Sequence, residues 1–270
     1  MTAIPRQSPR PAGEPDPGAP LLDFSNLQFR YEPFPIGLAR PVIEPGFYHE
    51  LVASYPDDQL FAYFPKVGHK FALSEKNNPE RYAAFIEKTP PWRKLHDWIK
   101  SDAFIVSVMD ALRARQIDLG YHGATPLGDR LSKAFRNLRR GRLRWQAAGL
   151  SARFEFSMLP ADGGCVVPHT DTPGKIVTLV ISMVEPGGWD PAFGGGTDVN
   201  RHRDPAQSFN HLNRRAEFED MEILETLEFG PNQAVIFVKT FNSWHSVRPM
   251  RGAGSKAMRR TLTINIEESL

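Results

Sequence analysis

The chain has 270 residues, 41% of them hydrophobic, and 33 Lys and Arg stand against 31 Asp and Glu for a formal net charge of +2. That is enough apolar material for a sizeable core and too even a charge balance to argue for a nucleic-acid partner. No run approaches the ~18 apolar residues of a membrane helix, the start Met1 to Arg6 lacks the apolar stretch of a secretory signal, and the lone Cys165 excludes an internal disulfide or a cysteine-based zinc site. A cytoplasmic protein without membrane contact is the expectation, with Cys165 as a small buried residue.

Residues 1–20 hold six prolines and almost nothing apolar, the pattern of a disordered or extended tail. From Leu21 to about Pro45 the chain is rich in aromatics and proline and reads as extended packing over a core. Helical spacing then follows at Phe47, Leu51 and Val52. It recurs from Pro79 through Tyr82, Phe85 and Ile86, at Trp92, Leu95, His96 and Ile99, and from Ala103 to Arg115. Residues 21–149 are therefore expected to form an N-terminal helical and extended region that packs on the core.

Residues 129–144 carry seven basic side chains, at Arg130, Lys133, Arg136, Arg139, Arg140, Arg142 and Arg144, opposed only by Asp129. The segment is either a solvated helix face and loop or a rim for an anionic substrate. A single aromatic residue, Phe135, interleaves with the charges, fewer than single-strand binding would require.

After Leu150 the pattern changes to strands. Ala152 to Met158 alternates, and Lys175 to Met183 is a β-branched run of the kind a buried strand uses. Further strands are expected at Thr197–Asn200, Met221–Phe229, Gln233–Thr240, Ser243–Met250 and Arg259–Ile266. The turns between them are marked by Gly163-Gly164, Gly194 to Gly196, Gly230 to Asn232 and Gly252 to Gly254. About eight short strands with such turns suggest a β-sandwich or jelly roll spanning residues 150–270. Arg201 to Asp220 is a polar insertion too long for a hairpin turn, and loops of that length are usually lids or binding loops.

Candidate chemistry centres on Pro168-His169-Thr170-Asp171. In an extended segment His169 and Asp171 would project to one side and could grip a single ion. His245 would complete a set of two imidazoles and one carboxylate, which leaves open positions on the metal as non-haem Fe(II) needs. His169 and His245 lie 76 positions apart, natural for two neighbouring strands and implausible for one local metal finger. Taken singly, His169 and Asp171 could be turn residues and His245 a half-buried strand residue.

At these residues the sequence resembles the Fe(II)- and 2-oxoglutarate-dependent dioxygenases, in their prolyl 4-hydroxylase-like branch, over roughly residues 150–268. Pro168 to Asp171 matches the His-x-Asp element, Asn242 to Val247 is similar to the segment carrying the distal histidine, and Arg259 to Ile264 resembles the closing strand. The resemblance implies a mainly β fold, a double-stranded β-helix (jelly roll, cupin-like) core with helices packed outside it. It further implies His169, Asp171 and His245 as catalytic metal ligands, 2-oxoglutarate as co-substrate, O2 as oxidant, and an Arg-x-Ser/Thr pair on the closing strand for the distal carboxylate. Strand period places Arg259 with Thr261 on the polar face and Arg260 on the apolar one, so Arg259 is the first choice and Arg260 the alternative. Ser157 stands where many relatives have a tyrosine, and the 14 positions from His245 to Arg259 exceed the usual ten or so.

With Asp171 in the coordination position that halogenating relatives leave to chloride, hydroxylation is implied. The substrate would be a peptidyl residue, an amino acid or a small metabolite, anionic if the basic segment takes part, and the protein a monomer or homodimer. A cupin-type metalloenzyme without 2-oxoglutarate would usually have more histidine ligands and no use for Arg259-x-Thr261. A non-catalytic jelly-roll binding module would be expected to have lost a ligand.

Overall fold

The computed structural model describes residues 20–121 and 149–268. The proline-rich tail up to residue 19 and the basic segment 129–144 lie outside the described residues. Among those described are four helices, α1 (Pro45–Ala53), α2 (Pro79–Lys88), α3 (Pro90–Ile99) and α4 (Asp102–Arg113), each starting within a residue or two of where the apolar spacing puts it. Local chemistry sets their starts. The Glu44 carboxylate accepts from the amides of Gly46 and Phe47 ahead of α1, Pro79 and Pro90 open α2 and α3, and Ser101 caps α4 by accepting from the Phe104 amide.

Twelve strands are described: β1 (Gln28–Arg30), β2 (Ile36–Ala39), β3 (Ala62–Phe64), β4 (Lys70–Ser74), β5 (Leu150–Pro160), β6 (Val166–His169), β7 (Lys175–Ser182), β8 (Thr197–His202), β9 (Met221–Leu227), β10 (Ala234–Val238), β11 (His245–Val247) and β12 (Met258–Glu268). They form two antiparallel sheets, an eight-stranded one in the order β1-β2-β10-β7-β12-β5-β4-β3 and a four-stranded one in the order β6-β11-β8-β9. The fold is thus mainly β with packed helices.

Three expectations need correcting. The strand expected over Ser243–Met250 is only His245–Val247, because His245 and Val247 pair with β6 across a register shift and the chain then leaves the sheet toward Arg251. The strand expected to reach Phe229 ends at Leu227, ahead of the Gly230-Pro231 turn. The N-terminal region is not only helical and extended: it adds four strands to the large sheet, with β2 pairing β10 and β4 pairing β5. Short strands such as Ala62–Phe64, at the edge of the sheet, and Lys70–Ser74 beside it are hard to see in sequence, since three to five residues give little alternation to read.

The two faces of the large sheet follow from the period of two. On one, Phe154, Phe156 and Met158 of β5, Leu179 and Ile181 of β7 and Leu262, Ile264 and Ile266 of β12 join a core cluster with Leu51, Trp92, Leu95, Ile99, Phe104 and Val108 of the helices. Trp92 alone makes edge contacts with both Phe154 and Phe156. The opposite face, turned toward the four-stranded sheet, is largely polar. It carries Arg153, Glu155 and Ser157 on β5, Thr178 on β7, and Arg259, Thr261, Thr263 and Asn265 on β12, cross-strand neighbours by register. A smaller apolar cluster of Phe34, Ile36, Val199, Val235 and Phe237 holds the two sheets together there. Burying polar side chains between two sheets is costly unless they are paired or receive a ligand.

Candidate metal centre

β6 and β11 are neighbours in the small sheet, and their register sets His169 directly across from His245. The ring centroids lie 4.3 Å apart, and the second face of His245 packs on Phe237 of the large sheet, 4.4 Å centroid to centroid. Both imidazoles use Nδ1 in the same way, donating to the carbonyl two residues back, Val167 for His169 and Ser243 for His245, each at 2.9 Å. That fixes the tautomer and leaves both Nε2 atoms free to bind a metal.

Asp171 reaches the same spot by a different route from the one its spacing suggests. β6 ends at His169, and Asp171 has φ 71, in the left-handed region, so the chain turns rather than continuing an extended pleat. The turn is held through Thr170. Its amide donates to Asn213 Oδ1, its hydroxyl donates to the Asn210 carbonyl, and its own carbonyl accepts from Ser243 Oγ, just before His245. Asp171 Oδ1 consequently lies 3.5 Å from His169 Nε2, and ligand atoms of His169, Asp171 and His245 all lie within 4.8 Å of one another. This is the one group of three or more potential metal ligands found among the described residues.

The surroundings keep this set in the protonation state a metal requires. Burial works to raise the Asp171 carboxyl, but the His169 imidazole and the Lys175 ammonium outweigh it and hold the carboxyl well below the usual range. Burial first, then the neighbouring His169, push His245 down to about 3, so it is a neutral donor at any ordinary pH. Lys175 Nζ donates to Asp171 Oδ1 at 2.5 Å, and Thr178 Oγ1 lies 3.0 Å from Asp171 Oδ2 and 3.1 Å from Asn265 Oδ1. A hydroxyl has one hydrogen. With Asp171 accepting it, the Asn265 amide must present its NH2 group to Thr178. Lys175, Thr178 and Asn265 were not singled out from the sequence. Thr178 is marked only as a polar position inside the apolar run of β7 and Asn265 only as a member of the polar face of β12, and nothing marks Lys175.

Arg259 and Arg260 part company on β12. Arg260 sits on the helix side, half exposed, 3.5 Å from Asp58 and over the Tyr55 ring. Arg259 is 5% exposed, on the polar face shared with Thr261 and Asn265. Its Nε donates to the Gly195 carbonyl at 2.6 Å, its guanidinium lies 4.5 Å over the Phe229 ring, and no carboxylate pairs with it among the described residues. Burial alone lowers it to about 10. Gly195 has φ +86, and a Cβ there would come within 3.2 Å of the Arg259 side chain, which explains the glycine-rich turn beside it. Thr261 pairs hydroxyl to hydroxyl with Ser157 at 2.8 Å. Cys165 is a free, half-buried thiol outside the ligand group, and no described helix is long and apolar enough to cross a membrane.

No protein-family model matches the chain, and no curated protein sequence matches it. Among solved structures the chain is similar to a prolyl hydroxylase from Trichoplax adhaerens in complex with a hypoxia inducible factor peptide fragment, with a TM-score of 0.45 and 13% identity over 86% of this chain and 83% of that one. It is also similar to a Pseudomonas putida prolyl-4-hydroxylase, with a TM-score of 0.42 and 14% identity over 87% and 93% of the two chains. A third is the non-heme alpha-ketoglutarate-dependent epimerase SnoN from nogalamycin biosynthesis, with a TM-score of 0.48 and 12% identity over 86% and 78%. At such TM-scores the likeness by itself identifies neither an activity nor a substrate.

Proposed function

We propose that the chain is an Fe(II)- and 2-oxoglutarate-dependent oxygenase that hydroxylates an unactivated C–H bond of a peptidyl residue, amino acid or small metabolite, giving succinate and CO2 as co-products. The observation that carries this reading is the convergence of His169, Asp171 and His245 on one point, on a polar inner face that also holds Arg259 without an acidic partner. Two imidazoles and a carboxylate suit a divalent iron with open positions, and a buried unpaired guanidinium is unfavourable until an anion meets it. The order of the eight strands from β5 to β12, which switches between β10-β7-β12-β5 and β6-β11-β8-β9 at every step except the β8–β9 hairpin, supports a double-stranded β-helix core.

In this reading His169 and His245 bind through Nε2 and Asp171 through the oxygen that Lys175 now holds, while Thr178 keeps the second carboxylate oxygen in place. Arg259 would take the distal carboxylate of 2-oxoglutarate in a bidentate pair, with the Thr261 hydroxyl beside it. When bound, the iron would supply the oxidation chemistry that no side chain here can perform. The protein's part is to orient the ligands, neutralise the co-substrate's charge and keep water out between the sheets.

An anaerobic titration of metal-stripped protein with Fe(II) and 2-oxoglutarate tests this. A weak visible charge-transfer band is expected in the wild type, absent in His169→Ala, and requiring at least tenfold more 2-oxoglutarate in Arg259→Met. Folded, iron-loaded wild-type protein without the band would sink the 2-oxoglutarate reading.

A further inference from the structure

The insertion between β8 and β9 builds a cavity of about 600 Å3 that none of the three metal ligands lines. That volume falls in the range that takes a small organic molecule. Its walls are fastened to the segments carrying the ligands. The Ala216 amide donates to the Pro168 carbonyl, the Asn210 amide to the Phe241 carbonyl, and Trp244 Nε1 to the Ser208 carbonyl at 2.9 Å. Asn210 closes the loop on itself, its side chain donating to the Arg214 carbonyl and accepting from the Arg214 amide. The cavity is thus framed by its own hydrogen bonds.

Two kinds of side chain in it lack partners. Phe209 and Leu212, 66% and 71% exposed, present apolar surface beside Trp244 that the fold does not cover. Arg214 and Arg215 line the same space, and neither guanidinium makes an ion pair or hydrogen bond among the described residues. Asp204 and Asp220 line the space as well, but their carboxylates face the loop backbone, Asp204 Oδ1 accepting from the Ala206 amide and Asp220 Oδ2 from the Glu217 amide, and neither pairs with Arg214 or Arg215 among the described residues. Two free cations over an uncovered apolar floor complement an organic anion with an apolar body.

We infer that this cavity is a ligand site, separate from the metal centre, for a small carboxylate or phosphate ester bearing an aromatic or aliphatic group. Arg214 and Arg215 take the anion, and Phe209 and Leu212 take the apolar body, with the edge of the buried Trp244 behind them. The site does not require the oxygenase reading, and its test needs neither metal nor co-substrate.

The test is calorimetric titration of metal-free, full-length protein with 4-phenylbutyrate and with its uncharged amide, alongside the Trp244 indole proton in NMR spectra, assigned with Trp244→Phe. Saturable binding of phenylbutyrate that shifts the Trp244 signal is expected, with the amide and the double variant Arg214→Gln/Arg215→Gln each about tenfold weaker or worse. Both arginines are exposed, so the double variant should fold; its circular dichroism is compared with wild type. The inference is overturned by absence of saturable binding, or by equal affinity for acid and amide. It also falls if binding is lost in Arg259→Met but retained in the double variant, since the carboxylate would then sit at the buried arginine instead.

Discussion

Asp171 is steadied by Thr178, whose hydroxyl is 3.0 Å from Oδ2, and threonine and valine have nearly the same shape. Thr178→Val removes the hydrogen bond without opening a cavity, so metal affinity is expected to fall about 10- to 100-fold while the thermal midpoint moves little. Competition against a metal-sensitive dye reads the first and calorimetry the second; unchanged affinity would remove Thr178 from the metal's support. Arg259 predicts the reverse pairing of effects. Its burial without a carboxylate disfavours the ligand-free fold, so Arg259→Met should leave the Tm unchanged or raise stability by up to about 2 kcal/mol, although under the proposed function it should weaken 2-oxoglutarate binding at least tenfold. A Tm lowered by several degrees would show that the Gly195 and Phe229 contacts outweigh the desolvation. At this scale the grouping of His169, Asp171 and His245 was legible in the sequence from residue type and order, and the buried polar-face position of Arg259 from strand parity. The left-handed turn at Asp171 was not, because it depends on Asn210 and Asn213, some 40 residues away.

β5 and β12 show what alternation does when it is read on both faces. Phe154, Phe156 and Met158 turn to the helices, and between them Glu155 is buried on the polar side, bonded to Lys70 at 2.6 Å with Arg153 at 3.4 Å. Burial raises the Glu155 carboxyl, but Lys70 first and then Arg153 pull it below its ordinary value. A carboxyl depressed by folding contributes stability that is present above its unfolded pKa and is lost as pH falls through its folded value. Replacing Lys70 with Met takes away the strongest opposing charge, so the folded pKa rises and acid unfolding should begin at a higher pH than in wild type, followed by circular dichroism. An unchanged acid midpoint would mean that Arg153 suffices. The long strands and all four helices were legible because their apolar periods run over several turns. β3 and β4, three and five residues long, were not, and the extent of β11 was overestimated because Trp244 and Met250 are buried without being part of the ladder.

For the whole molecule, the decisive element is the way the first hundred residues share a sheet with the last hundred and twenty. β2 hydrogen-bonds to β10 and β4 to β5, while the helices cover Phe154, Phe156, Leu179 and Ile264. A chain starting at residue 149 would expose that apolar face and two sheet edges, and it is expected to be insoluble or to lack cooperative unfolding, whereas the full chain is expected to unfold in one transition in urea. A soluble, cooperatively folding C-terminal piece that binds Fe(II) would refute this. The short pairing of β6 with β11 has its own consequence at this scale. Only a handful of ladder positions specify that register, yet one step of slippage would swing His245 away from His169 to the other side of the sheet. An ion held by both rings would therefore proofread the assembly: it would reward the correctly threaded chain alone, so that metal loading would double as quality control over how the two halves of the β-structure come together.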